Sequence, residues 1–338
     1  MSSFQIPKTM RAVLIRKTGG PEAIETQDDY PVPTLAEDQV LIKISYAGVN
    51  FIDTYKRSGL YQSKYPLILG EEGAGTIVDI HPSVNSSDIK LGRRVAFIST
   101  GSYAEYIAIS HKKLAYLPDH VSFKDAAGVL LQGLTALTML QESYAVKSGD
   151  WILVHAAAGG VGLNLCQIAS YLGVNVIGTT STLDKAELAR KNGAETVVVN
   201  GSAEDLKAEV DKNTDGKGVH AVFDGVGKAT WEGNFPLLSR KGTIVSFGNA
   251  SGPPPEISPL ILGKGNWKLT RPVLNNAIHT PEEFEYYTSE LFKLVDQKVV
   301  NLLVNGTYPL SAEGLRQAHA DLTGRKTVGK LVIQVADE

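Results

Sequence analysis

The stretch WILVHAAAGGVG, residues 151–162, places an apolar run directly before a glycine turn. Val161, Leu165, Ile168 and Leu172 then recur at helical spacing. A strand, a glycine turn and a helix in that order are the context in which G-x-G-x-x-G holds a dinucleotide. Ala157 stands at the first glycine position here, and Gly159 and Gly162 hold the other two. Ala158, Gly159, Gly160 and Val161 form the turn, whose backbone can approach a pyrophosphate while the helix offers free N–H groups and its positive dipole end. A glycine turn can also merely pack a helix on a sheet, but a second strand ending roughly 20 residues on supports the cofactor reading.

That second strand decides which dinucleotide. An enzyme using NAD carries a carboxylate at its end for the ribose 2′-OH. This strand ends Gly178-Thr179-Thr180-Ser181, and the nearest acid, Asp184, is followed at once by Lys185. Thr180 and Ser181 as neutral donors, with Lys185 as a charge-assisted one, suit a 2′-phosphate, so NADPH is expected. A solvated surface lysine is the plainer reading of Lys185.

The elements around this loop repeat. From Gly149 onward, strands at 151–155, 174–180, 196–199, 220–224 and 243–247 alternate with helices from about 160, 184–191, 203–212 and 228–238. Such alternation predicts a doubly wound parallel sheet. The first third instead shows short β-branched and aromatic runs split by turn residues, at 11–17, 40–46, 75–80, 94–98 and 106–109, as in a barrel or sandwich. The tail adds helices at 281–297 and 311–321 and a strand at 330–335, too little for a domain of its own. Its strand is expected to return to the N-terminal domain, which makes the α/β unit an insertion. The expected division is 1–132 with 275–338, and 133–274.

A chain of 338 residues has room for two such domains. With 33 Lys and Arg against 36 Asp and Glu, the net charge of -3 excludes the basic balance of non-specific nucleic-acid binders. One cysteine, Cys166, permits no intrachain disulfide. None of the seven histidines sits in H-x-H or H-E-x-x-H spacing, so no three-ligand zinc set can be drawn. The N-terminus MSSFQIPKTMRAV has no apolar run after a basic start, and a cytoplasmic protein without a membrane anchor is expected. Residues 151–183 carry no Asp, Glu, Lys or Arg, yet their glycine turn and polar residues read as buried strand, turn, helix and strand, not as a membrane span.

AAAGGVG, GVNFIDTYKRSGLY at 48–61, LQGLTA at 131–136, SFGNASG at 246–252 and LTRP at 269–272 together resemble the zeta-crystallin-like NADPH:quinone oxidoreductases of the medium-chain dehydrogenase/reductase superfamily. The resemblance implies a GroES-like β-rich catalytic domain from both chain ends, a Rossmann domain in the middle, a cleft between them, and a homodimer. It implies an oxidoreductase reducing small quinones. Zinc-dependent relatives have Cys and His where this chain has Asn50 and Glu71, so zinc-independent catalysis is expected. Conjugated quinone carbonyls accept hydride or electrons without a Lewis acid.

The resemblance also places Asn50, Asp53 and Tyr55 around the nicotinamide and quinone pocket. Asn50 can donate to a carbonyl or to the nicotinamide ribose, Tyr55 can stack or hydrogen bond, and Asp53 orients them. As a sequence alone, TYKRSGLY reads equally as a helix end and surface loop. Gln132 and Thr135 fall in the stretch at the nicotinamide phosphate and carboxamide. Phe247, Gly248 and Asn249 end a strand on its carboxyl side, Thr270 and Arg271 follow the next strand, and Arg325 is the basic contact to the phosphates from the tail. Asn200-Gly201 replaces a tyrosine common in the family, and Gly225 replaces a common serine; both predict weaker NADPH binding, with more of it carried by Lys185 and Arg325. Reduction of an activated C=C bond in an enal or enoyl thioester uses the same hydride geometry. Some members of the family bind AU-rich RNA, but the basic clusters here are short.

Overall fold

The computed structural model describes residues 4–336. They sort into two compact units, Met1–Leu131 with Leu302–Glu338, and Gln132–Asn301.

Unit 1 opens with β1 (Thr9–Ile15), β2 (Ile24–Pro31), β3 (Gln39–Val49), α1 (Phe51–Ser58), β4 (Leu67–Ile68), β5 (Glu72–Ile80), β6 (Arg94–Ile98), β7 (Tyr106–Ser110) and β8 (Leu114–Tyr116). Helix α2 (Phe123–Thr138) contains the boundary between the units. Unit 2 follows with β9 (Trp151–Val154), α3 (Gly160–Tyr171), β10 (Asn175–Thr180), α4 (Leu183–Lys191), β11 (Thr196–Val199) and α5 (Ala203–Thr214). It continues through β12 (Val219–Asp224), α6 (Trp231–Asn234), β13 (Leu238–Ser246), β14 (Lys268–Thr270), α7 (Leu274–Ala277) and α8 (Pro281–Asp296). The chain then re-enters unit 1 with β15 (Val304–Pro309), α9 (Ala312–Thr323) and β16 (Lys330–Gln334).

In unit 1 the alternation along β3 sends Val40, Ile42 and Ile44 into a core with Ile77, Val95 and Phe97. β3 pairs antiparallel with β5, β7 and β16, and β1 lies between β2 and β4 in a second, three-stranded sheet. The expected return of the tail is visible in the register, where Leu331 faces Val49 and Ile333 faces Ala47. Both bury against Val13, Ile15, Leu69 and Tyr103. The last strand thus closes a core that the first one began.

Unit 2 is a six-stranded sheet in the order β11-β10-β9-β12-β13-β14, every pairing parallel. Strands covered on both faces are mostly apolar, as are β9 with WILV and the middle of β12 with Ala221, Val222 and Phe223. The order reverses at β9, between β10 and β12, and at such a point the loops from the carboxyl ends of the strands separate to receive a ligand. Thr182 caps α4 by accepting from Lys185 N, and Ser202 caps α5.

Two details depart from the sequence reading. The helix expected over 228–238 is only the four residues of α6, followed by a 3₁₀ turn at Phe235–Leu237; Pro236 has no N–H to continue an α-helix. Residues 275–301 group with unit 2 instead of following the tail into unit 1. Tyr287 on α8 donates to Glu142 at 2.5 Å, and Leu291 lies against Gly133 on α2, where any side chain larger than hydrogen would meet it.

Candidate functional site

The loop from β9 to α3 supplies the first half of the site. Ala156 adopts a left-handed conformation, φ 52°, and Ala157 N donates to Thr179 O at 3.0 Å, so the turn is tied to the end of the neighbouring strand. Gly159 is the N-cap of α3 and offers no side chain, and the first turn holds no acidic residue. The N–H end of a 12-residue helix therefore faces outward with its partial positive charge uncancelled. Beside it the buried Gln132 amide occupies the space a Cβ on Gly160 would need, and Gln132 Oε1 has no hydrogen-bond partner among the described residues. An uncapped helix N-terminus and a glycine cradle suit a pyrophosphate, so these residues fit a dinucleotide.

At the end of β10, Thr180 and Ser181 are half-buried, and the Thr180 hydroxyl donates to Thr182 O at 3.2 Å. Lys185, one turn into α4, is half-buried too, and burial lowers its pKa from the ordinary lysine value. An ammonium held in a partly dry place gains more from an anion than a solvated one does. Asp184 is exposed. Asn200, also left-handed at φ 43°, donates through Nδ2 to Ser181 O at 2.6 Å and steadies this strand end.

The loops after β12 and β13 complete the rim. A Cβ on Gly225 would press on the ring of Phe247, so the missing serine is space that Phe247 fills. Gly248 and Asn249 are buried. Arg271, just beyond Thr270 at the end of β14, donates through Nη1 to Ser246 O at 3.0 Å and Gly248 O at 3.3 Å, which fixes the 246–248 loop. Thr135 lies half-buried on α2, one turn beyond Gln132. Unit 2 carries Gln132, Thr135, residues 157–162, Thr180, Ser181, Lys185, residues 247–249, Thr270 and Arg271, with contacts joining Gln132 to Gly160, Ala157 to the end of β10, and Arg271 to the 246–248 loop.

Asn50, Asp53, Tyr55 and Arg325 lie in unit 1. Asn50 has little amide capacity to spare: Oδ1 accepts from Lys330 Nζ at 2.8 Å, and Nδ2 donates to Glu72 Oε1 at 2.8 Å. Asp53 is wholly buried at the start of α1, where Oδ2 accepts from Asn50 N at 2.9 Å and from the Tyr103 hydroxyl at 2.6 Å. Burial and the Glu71 charge raise its pKa to about 7. These two side chains build the start of α1, and a ligand contact by the Asn50 amide would require it to leave Lys330 or Glu72. Tyr55 is half-buried, with Tyr61 edge-on at 5.3 Å between ring centres and Phe51 at 6.2 Å. Arg325 is exposed just past α9, left-handed at φ 57°.

Of the two positions where zinc-dependent relatives hold ligands, Glu71 is in an ion pair and Asn50 is hydrogen-bonded to a neighbouring one. Glu71 receives Lys56 Nζ at 2.5 Å and the Thr100 hydroxyl at 3.1 Å, and the carboxylate at Glu72 pairs with Lys330 with both side chains at 0% exposure. Among the described residues no group of three or more His, Cys, Asp or Glu is placed to hold a metal. Sequence reasoning missed Lys330, Glu72 and Tyr103, whose roles depend on contacts as long as 280 residues along the chain.

Residues 36–119 match the alcohol dehydrogenase GroES-like domain and residues 160–292 the zinc-binding dehydrogenase family. A quinone oxidoreductase of Pseudomonas aeruginosa is 42% identical over 320 residues, covering 93% of this chain and 96% of the relative. The chain belongs to the quinone oxidoreductase family of the medium-chain dehydrogenase/reductase superfamily. Two solved structures match this member of the family along nearly its whole length. A mycobacterial protein complexed with NADPH superposes with a TM-score of 0.92 at 42% identity, covering 96% of this chain and 100% of that one. The Escherichia coli quinone oxidoreductase complexed with NADPH gives 0.91 at 38% identity, with 96% and 100% covered.

Proposed function

We propose that the chain is an NADPH-dependent quinone reductase. The observation that carries the cofactor is the strand end at Thr180-Ser181, which has hydroxyls and the half-buried Lys185 where a carboxylate would select NADH. The acceptor is carried by the likeness to quinone oxidoreductases.

When bound, NADPH supplies a hydride from its nicotinamide ring. The chain's own residues bind and orient. Residues 157–162 and the N-terminus of α3 hold the pyrophosphate, Thr180, Ser181 and Lys185 the 2′-phosphate, and Gln132, Thr135, Phe247, Gly248, Asn249, Thr270 and Arg271 shape the rest of the cofactor site, with Arg325 as a further phosphate contact. Tyr55, held by the tilted Phe51 and the edge-on Tyr61, offers an electron-rich ring on which a quinone can stack. Asn50 and Asp53 hold α1, and hence Tyr55, in place. A quinone oxygen needs no strong acid, because water can protonate the reduced product.

On this reading the reaction runs without a metal, in a homodimer, in the cytoplasm. Among the described residues no helix is long and apolar enough to cross a membrane. Following NADPH and NADH oxidation against a panel of quinones and enals tests this reading. Faster NADPH oxidation with quinones supports it, and turnover confined to enals replaces the acceptor.

A further inference from the structure

Beneath the cofactor loop runs a buried line of hydrogen bonds that the binding residues themselves do not explain. His155, at the carboxyl end of β9, is 5% exposed, and Asn234 on α6 and Asp224 at the end of β12 are fully enclosed. His155 Nε2 lies 2.8 Å from Asn234 Oδ1, and Nδ1 lies 3.1 Å from the Thr179 hydroxyl. The Asn234 amide is oriented by its other end, where Nδ2 donates to Asp224 Oδ2 at 2.7 Å. Asn234 Oδ1 is therefore an acceptor, and the hydrogen between it and His155 sits on Nε2. That leaves Nδ1 as the acceptor of the Thr179 O–H, whose oxygen receives Ala156 N at 3.3 Å. At the far end Asp224 Oδ1 accepts from Val226 N at 2.8 Å and Gly227 N at 3.1 Å, and Oδ2 also accepts from Thr230.

From the glycine loop the hydrogens run through Thr179 at the end of β10, His155 and Asn234 to Asp224, and the backbone of the loop after β12 donates into the same carboxylate from the other end. These are the loops on either side of the point where the strand order reverses. We infer that His155, with its hydrogen on Nε2, is a positioning residue that locks the loops after β9, β10 and β12 into one cofactor-ready arrangement before NADPH arrives. The inference rests on the cofactor reading of the glycine loop. Its physical effect is preorganisation: loops already fixed lose less conformational freedom on binding. Phenylalanine fills the imidazole's volume but makes neither bond, leaving Asn234 Oδ1 and the Thr179 hydroxyl without their partner.

His155→Phe is the test, with three readouts. In the cofactor-free protein, hydrogen exchange at the Ala156, Val226 and Gly227 amides rises while exchange in β9 and β12 stays as in the unmutated chain. The NADPH Kd, followed by protein fluorescence, rises about tenfold, as the loss of one buried hydrogen-bonded link implies. The KM for NADPH rises with it while kcat at saturating NADPH stays within about threefold, a split that general loss of structure does not produce. Nitrogen-15 spectra of the unmutated imidazole show the hydrogen on Nε2. If His155→Phe does not fold, Thr179→Val removes the hydroxyl alone and shows faster exchange at Ala156 and weaker NADPH binding. Unchanged exchange and an NADPH Kd within about twofold in a folded variant overturn the inference. Absence of NADPH binding by the unmutated chain overturns the cofactor reading and, with it, this one.

Discussion

Tyr103 donates its phenolic hydrogen to Asp53 Oδ2 across 2.6 Å, with both side chains wholly enclosed in unit 1. Asp53 Oδ1 has no partner among the described residues. Burial first, and the Glu71 charge second, raise Asp53 from 3.8 to about 7, while the same burial and the Asp53 charge keep the Tyr103 phenol protonated well above its ordinary range. The folded chain thus holds a proton on Asp53 that the unfolded chain releases near pH 4. Between those values the folded state binds more protons, so this group's contribution to stability falls as pH rises toward 7. His319 works in the opposite sense. Burial and Arg57 lower it from 6.5 to about 3, so its contribution is lost as pH falls below about 6.5.

Between about pH 4 and 6.5 the two opposed slopes largely cancel, so Asp53→Asn is expected to expose the His319 slope, with stability rising from pH 5 to about 6.5. Urea midpoints across that range check it. An unchanged slope between pH 5 and 7 in the variant assigns the proton elsewhere.

Lys330 and Glu72 make the second buried test. Their ion pair is at 0% exposure, and Lys330 also serves Asn50 while Glu72 Oε2 accepts from Leu131 N at 2.7 Å. Breaking one side of such a pair strands the other charge, so Lys330→Met is expected to cost about 3–5 kcal/mol. Adding Glu72→Gln removes the stranded charge and recovers part of that loss. A single variant within about 1 kcal/mol of the unmutated chain in urea unfolding contradicts the account.

What the sequence made legible follows the range of the interactions. The glycine loop, the strand end at Thr180-Ser181 and Lys185 are close along the chain, and their spacing alone places them on one strand–helix–strand unit. The returning strand β16 was legible because the tail was too short to form a domain of its own, and its strand pairs with β3. The environment of Asn50 was not. Its partners Glu72 and Lys330 come from β5 and β16, and no local pattern announces a lysine that will be buried inside an apolar strand. α8 also hid its placement, since its helical pattern shows that one face buries but not against which unit. His155 carried a weak signal, a lone imidazole ending an apolar strand just before the glycine turn, but its partners Thr179 and Asn234 appear only once the sheet is ordered.

Cofactor choice is tested at Lys185. One charged contact to phosphate contributes on the order of 1.5–3 kcal/mol, so Lys185→Ala should weaken NADPH at least about tenfold and leave NADH nearly unchanged. Fluorescence titration with both cofactors measures this. Equal affinity of the unmutated chain for the two refutes the assignment to the 2′-phosphate.

Exhaustive chelation is expected to leave quinone reduction at full rate, because at the positions where zinc ligands would stand Glu71 is paired with Lys56 and the Asn50 amide is held by Lys330 and Glu72. Elemental analysis should find no stoichiometric zinc. One tightly bound zinc per chain would require these contacts to open.

The last prediction concerns the Tyr55 hydroxyl. The aromatic contacts that hold Tyr55 against Tyr61 and Phe51 belong to the rings, and Phe keeps them. If the ring positions the acceptor and water supplies the protons, Tyr55→Phe changes turnover modestly and acts mainly through the KM for the quinone. Phenol ionisation lies near pH 10 in water, so the pH–rate profile of both forms should be flat between about pH 6 and 8. Steady-state kinetics with a quinone at saturating NADPH separates the two roles. A thousandfold fall in kcat on removing this one hydroxyl would make it a proton donor in the rate-limiting step, a role that electron-poor quinone carbonyls do not need but the saturated carbon formed by C=C reduction does.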